Sequence, residues 1–362
     1  MQIHRVKKGE SVYSISREYG VSPRKIIEIN NLKNPDKLAV GRELLILFPR
    51  RTYTARRGDS VESISRRFSL DKSKIYKCNP TLAGTDKIYP EEILSLGYSD
   101  IGGGSVLIDG YIFKGCPTER LAYTLPYLSS ITLASYVYEN GRVRRTLPLR
   151  PPAHGKRKIS ERIYCPKGCA FSDTTADAFL SVTGECNSDG ITLAIPKDTD
   201  GTEGFIEALK GKAVEKGISL TLECTEDISE PLASFPDRLV VNDGCDGDIF
   251  SSFFKKGVSH KAYMDISPFA TVNGSPVPID EALALADERG ITLEQSGGDL
   301  IGKTGKGEII VPSLKRIKAK LDLIGELGLL GAVIDVMRCP VSILMMLSSL
   351  YEINTPYSFG GM

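Results

Sequence analysis

The chain has 362 residues, 41% of them apolar, with 46 Lys and Arg against 45 Asp and Glu and no Trp. That length and balance give room for several ordered domains with a real core and exclude a disordered or fibrous chain. The charge is uneven: residues 1–98 hold 19 Lys and Arg against 11 Asp and Glu, and the remainder holds 27 against 34, so a basic front precedes an acidic back.

Gly9, Glu10, Ser11, Val12, Ile15, Ser16, Arg17 and Asn30 return 49 residues later as Gly58, Asp59, Ser60, Val61, Ile64, Ser65, Arg66 and Asn79. Each copy reads as strand, helix, helix, strand. Val12, Ile15 and Tyr19, and again Val61, Ile64 and Phe68, form one apolar helical face. A second helix is predicted to start behind Ser22-Pro23 in the first copy and behind Asp71 in the second, where a side-chain oxygen caps free N–H groups. After Asn30 the offset grows to 50, so that Lys37, Leu38 and Leu44 match Lys87, Ile88 and Leu94, which places one inserted residue in the loop between. Pro90-Glu91 replaces Val40-Gly41 and predicts a differently shaped second loop. Phe48-Pro49-Arg50-Arg51 reads as a short tether between modules 1–48 and 51–98.

Together with Leu32, Asn34, Pro35 and the run from Leu38 to Leu44, these residues resemble the LysM module along its full length, twice. The resemblance implies binding of N-acetylglucosamine glycans, peptidoglycan or chitin-like, in a shallow groove. In the first copy the groove would use Gly9, Glu10, Ser11 and Val12 against Asn34, Pro35 and Leu38. In the second it would use Gly58, Asp59, Ser60 and Val61 against Asp86, Lys87 and Ile88. Amide-bearing sugars need exposed backbone donors and acceptors without bulky side chains in the way, and a Gly-polar-Ser turn provides them. The same residues also shape a turn and cap a helix. Two weak sites on one chain gain by avidity. The basic front suits an anionic wall polymer; no nucleic-acid fold or aromatic platform accompanies the charge, so nucleic acid is not expected as a partner.

Gly102-Gly103-Gly104-Ser105 reads as a flexible joint within a 99–105 linker. Beyond it, predicted strands at 106–113, 130–138, 190–195, 219–223, 238–242, 260–266 and 331–336 alternate with helices at 203–216, 280–289 and 314–327. That alternation predicts an α/β domain over 106–362, a (β/α)8 barrel. The apolar stretch 327–350 is broken by Asp335, Arg338 and Pro340, which argues for a buried strand and helix and against a membrane span. Met1-Gln2-Ile3-His4-Arg5 leads straight into a strand, so no secretory signal is expected. Of eight Cys, only Cys165 and Cys169 lie close in sequence, and with no second pair or nearby His the expectation is buried reduced thiols, with no metal and no cofactor.

Gly110-Tyr111-Ile112-Phe113, the run 127–136 and the stretch from 279 to 331 resemble glycoside hydrolase family 18, nearest its LysM-bearing branch that acts on bacterial spore cortex. In that family an Asp-x-x-Asp-x-Asp-x-Glu motif ends the fourth strand and supplies the acid that protonates the leaving oxygen. The matching positions here are Asp189, Thr192, Ala194 and Pro196. Only the first carboxylate remains, and a lost proton donor removes about 10²–10⁴ in rate. Asp335 stands where the family has a Trp that floors the sugar, removing a stacking face. Glu223 and Asp335 are the substitute acids to consider, with Asp243, Asp246 and Asp265 also near predicted strand ends; His154 and His260 have no visible nucleophile partner. The segment 141–188, rich in Arg and Pro, is predicted to be an exposed loop around the third strand. The resulting expectation is a non-catalytic glycan-binding protein of the bacterial cell wall or spore envelope, made in the mother-cell cytoplasm, carrying a degenerate barrel. The alternatives are an active N-acetylglucosaminidase with relocated acids and a scaffold that binds spore coat proteins.

Overall fold

In each repeat two helices pack across a two-stranded antiparallel ribbon. The first comprises β1 (Gln2–Arg5), α1 (Val12–Tyr19), α2 (Pro23–Ile29) and β2 (Glu43–Ile46). The second comprises β3 (Pro49–Thr54), α3 (Val61–Phe68), α4 (Lys72–Cys78) and β4 (Ile93–Tyr98). The computed structural model describes residues 1–83, 85–98, 102–146, 156–196, 201–225, 227–242, 252–253 and 255–356.

The repeated residues explain the repeated shape. Ser11 Oγ accepts the Ser14 N–H at 3.2 Å while Ser14 Oγ accepts the Ser11 N–H at 2.9 Å, and Ser60 and Ser63 do the same at 3.1 and 3.0 Å. These reciprocal bonds satisfy donors a helix start leaves unpaired. Asn30 ties helix to strand: its Nδ2 donates to Ile26 O and Leu45 O, and its Oδ1 accepts the Leu45 N–H. Asn79 repeats this with Ile75 and Ser95. The inserted residue falls in a short 3-10 turn at Pro80–Leu82, after which Leu82 is buried as Leu32 is. Asp71 caps α4 through the Ser73 N–H at 2.6 Å, whereas Ser22, expected to cap α2, makes no such bond.

The second loop keeps the shape of the first, contrary to expectation. Gly41 N–H bonds Val6 O at 2.8 Å and Glu91 N–H bonds Ala55 O at 2.9 Å, both from left-handed backbone, φ 86° and 67°. Gly41 answers to its surroundings: a Cβ there would lie 1.8 Å from Leu293 O. Glu91 is exposed and meets no such wall.

The barrel strands are β5 (Ser105–Ile112), β6 (Ser130–Glu139) with its hairpin partner β7 (Arg142–Arg145), β8 (Lys158–Tyr164), β9 (Gly190–Ala194), β10 (Ser219–Cys224), β11 (Arg238–Asn242) and β12 (Ala262–Asp265). A five-stranded antiparallel sheet follows: β13 (Ala270–Val272), β14 (Ser275–Val277), β15 (Glu294–Ser296), β16 (Asp299–Thr304) and β17 (Gly307–Pro312). Then β18 (Gly331–Asp335) pairs parallel with both β12 and β5, and β5 pairs with β6, closing eight parallel strands; β19 (Glu352–Ile353) lies against the start of β5. The main helices here are α5 (Thr118–Thr124), α6 (Asp173–Cys186), α7 (Thr202–Glu215), α8 (Glu230–Ser234), α9 (Ile279–Arg289), α10 (Leu314–Glu326) and α11 (Val341–Leu350). Seven of the eight barrel strands fall where periodicity puts them. The third, β8, lies inside the segment expected to be loop, because its alternation is masked by Lys158, Glu161 and Arg162.

Three strand entrances share one device. Ser129, Asp189 and Asp237 each donate a backbone N–H to Ile108 O, Ile159 O and Leu220 O, and each side chain accepts the N–H of that same residue. Asp189, the carboxylate that the resemblance aligned with the family motif, is therefore engaged in strand pairing at the N-terminal end of β9.

The modules are built into the barrel. Ile29, Leu45, Leu47, Cys78 and Tyr98 belong to the same buried cluster as the barrel helices. Arg42 pairs with Asp287 at a fully buried contact, Asp287 also accepts the Ala39 N–H at 2.8 Å, and Leu293 N–H bonds Val40 O at 2.8 Å. The expected tether and the described part of the expected joint are both packed against neighbouring structure. Phe48 packs on the first module core and β3 begins at Pro49, leaving almost no tether, while Lys25 Nζ reaches Asn79 Oδ1 at 3.0 Å and Arg24 reaches Glu92 at 3.0 Å across the modules. At the glycine joint, Gly103 N–H bonds Leu350 O at 3.0 Å and a Cβ at Gly103 would lie 2.4 Å from the Tyr351 ring. Close packing, which composition does not encode, selects glycine here.

Candidate functional site

Most of the residues expected to line the two module grooves are exposed or half-buried. Gly9, Ser11 and Asn34 are exposed and Pro35 and Leu38 half-buried; Gly58, Ser60, Asp86 and Lys87 are exposed and Ile88 half-buried. Several of the expected contact residues are committed elsewhere through their side chains. Val12 and Val61 are buried in the module cores. Glu10 accepts the Lys7 N–H at 2.7 Å and bonds His4 at 2.9 Å; Asp59 accepts the Arg56 N–H at 2.7 Å and the Tyr53 hydroxyl at 2.6 Å. Asp86 accepts the Tyr76 hydroxyl. Ser11 and Ser60 cap their helices. At these positions a sugar would meet backbone groups and the small exposed turn, with the carboxylates acting as turn locks.

Two aromatic residues were missed by the sequence reading. Tyr13, 68% exposed, stands in the first turn of α1 beside the Ser11 cap, and Tyr89, 62% exposed, stands beside Ile88. The available signal was an aromatic on the polar side of a helix whose apolar stripe is Val12, Ile15 and Tyr19.

At the C-terminal mouth of the barrel, Arg162 on β8 and Glu223 on β10 form a two-pronged ion pair at 2.7 and 2.8 Å. Burial alone would lower the Arg162 pKa, but Glu223 beside it carries it above the ordinary value. Glu223 lies in register with Ala194 on β9, and its carboxylate is held by that guanidinium. Tyr111, Val240, Tyr263 and Val333 fill the interior. Burial, then Glu223 and Asp109, push the Tyr111 hydroxyl well above its usual range. Thr192 is buried, with no hydrogen-bond partner for its hydroxyl among the described residues, and Pro196 is half-buried just past the end of β9.

Asp335 serves its own turn. Its Oδ1 accepts the Met337 N–H at 2.9 Å and Arg338 approaches Oδ2 at 3.5 Å. Asp265 differs: burial raises its pKa against the pull of Ser267, whose N–H it accepts at 2.9 Å, and it lines a pocket of about 320 Å³ between the barrel and the inserted sheet. Phe269, Thr271 and Asn242 line it too, and Asp299 there is paired with Arg316 at 2.7 Å. His260 is held at the surface by Gly257 O; His154, Asp243 and Asp246 lie outside the described residues. Among the described residues no group of three or more His, Cys, Asp or Glu is placed to hold a metal ion, and no helix is long and apolar enough to cross a membrane.

These elements define a class: two LysM modules docked on a (β/α)8 barrel with an α+β insertion before its last strand. The LysM domain family matches residues 4–47 and 53–97. No curated protein matches the chain by sequence. Among solved structures, the spore cortex-lytic enzyme SleL of Bacillus megaterium QM B1551 superposes with a TM-score of 0.67 at 17% identity, over 98% of this chain and 99% of that one. The Bacillus cereus SleL gives 0.67 and 17% over 98% and 100%. A chitinase from Chromobacterium violaceum ATCC 12472 gives 0.54 and 13% over 67% of this chain and 98% of its own. The chain thus shares its whole arrangement with SleL and its barrel fold with chitinases.

Proposed function

We propose that this protein binds N-acetylglucosamine polymer, peptidoglycan of a bacterial cell wall or spore envelope, through its two LysM grooves, and that its barrel is a non-catalytic support. The observation that carries the reading is the contrast between the two ends of the molecule. Both groove turns are exposed and carry paired hydrogen bonds, while the resemblance puts Pro196 at the acid position and Arg162 holds the Glu223 carboxylate. The test is retention of the full chain on insoluble peptidoglycan. Replacing Asn34 and Lys87 by Ala, with Tyr13→Ala as a separate variant, is expected to lower retention without unfolding; unchanged retention would remove the groove assignment.

A second reading rests on Asp265. A carboxyl whose pKa is raised by burial and which opens on a pocket is suited to donate a proton, and the SleL structures belong to cortex-lytic enzymes. Release of reducing sugar from peptidoglycan that disappears in Asp265→Asn would establish hydrolysis and overturn the non-catalytic reading.

A further inference from the structure

Cys165 follows the last residue of β8, and its N–H bonds Ala194 O at 2.9 Å, beside the vacated acid position. The chain then reverses: Cys169 N–H bonds Pro166 O at 3.4 Å, and Gly168 takes the left-handed backbone, φ 81°, that the turn requires. The turn brings the Cys169 thiol within hydrogen-bonding reach of the Cys165 sulfur, and both are free thiols. Cys165 is buried and Cys169 half-exposed. The segment leaving the turn is anchored, since Tyr138 donates to Ala170 O at 2.8 Å and the Phe171 and Phe205 rings stack at 4.2 Å.

We propose that Cys165 and Cys169 form a reversible disulfide at the barrel mouth, made by exchange with a small-molecule disulfide. The Cys169 thiolate attacks one sulfur of the small disulfide and expels the first thiolate. The Cys165 thiol then loses its proton and its sulfur attacks that of Cys169, expelling the second. Two protein thiols and one small disulfide become one protein disulfide and two small thiols, so two electrons and two protons pass to the small molecule. Burial holds the Cys165 thiol well above its usual range, which makes the second step the slower one. Closure fixes the turn after the third barrel strand against the end of the fourth.

Lys167 lies between the two cysteines, so trypsin reports the bond directly. The folded full chain is incubated with oxidised glutathione, quenched in acid, alkylated with N-ethylmaleimide and digested without reductant. Peptides 163–167 and 168–197 are expected to remain joined until dithiothreitol separates them, with fragmentation placing the bond on Cys169 and not on Cys186. Cys165→Ser should stop at a glutathione adduct on Cys169. Wild-type chain that carries that adduct without a cross-link, or that is alkylated at both cysteines after oxidant, overturns the proposal. So does protection of both thiols from alkylation by equimolar zinc, which would make the pair a metal site. The wild-type digest decides the matter even where a variant fails to fold.

Discussion

Arg162 and Glu223 meet across the barrel interior, Nε to Oε1 at 2.7 Å and Nη2 to Oε2 at 2.8 Å, 61 positions apart in the chain. A two-pronged guanidinium–carboxylate pair adds geometric specificity to its charge. Glu223 is thereby engaged on both oxygens by Arg162. Glu223→Ala strands a mostly buried guanidinium and is expected to cost about 3–5 kcal/mol in urea unfolding. Replacing both partners by apolar residues of similar volume should cost far less. Peptidoglycan retention per folded molecule should be unchanged in each.

The grooves should behave as two sites in one rigid body. Linked sites gain about 10²–10⁴ over a single one when both engage. Disabling the first groove with Asn34→Ala and Tyr13→Ala is expected to move binding toward the single-site value, and adding Lys87→Ala and Tyr89→Ala should abolish it. Titration against soluble N-acetylglucosamine oligomers checks the stoichiometry. Deleting residues 1–98 is a poor substitute, because Ile29, Leu45, Leu47, Cys78 and Tyr98 belong to the barrel's own core.

Gly41 and Glu91 occupy equivalent left-handed positions with opposite demands. Gly41→Ala would drive a Cβ into Leu293 O and is expected to cost about 3 kcal/mol or more. Glu91→Gly removes a side chain from strained backbone in open solvent and should stabilise by about 1 kcal/mol. Thermal melts of the two variants should therefore shift in opposite directions.

Asp109 is fully buried in the barrel, with one oxygen accepting the Thr132 hydroxyl at 2.8 Å and the other without a hydrogen-bond partner among the described residues. Burial raises its pKa above the unfolded value of about 3.9. The folded state then holds this proton to higher pH than the unfolded chain does. Its contribution to stability falls as pH rises through the folded pKa and returns on acidification. Asp109→Asn should be more stable than wild type at neutral pH, and the difference should shrink as pH falls toward 4. A constant difference in urea unfolding across that range would count against it.

What the chain itself determined is its local grammar. The repeat, the Ser11 and Ser60 caps and seven of the eight barrel strands follow from periodicity and capping, which act over a few residues and are written at fixed spacing. The resemblance to family 18 likewise sets Thr192, Ala194 and Pro196 where that family's motif carries carboxylic acids. Tertiary structure alone decided the partners. Arg42 finds Asp287 at a separation of 245 positions, Glu223 is claimed by Arg162, and Gly103, in a stretch that composition marks as flexible, packs against Tyr351. The physical reason is that burial and ion pairing depend on which surfaces meet, and a glycine chosen for close packing carries the same letter as one chosen for freedom.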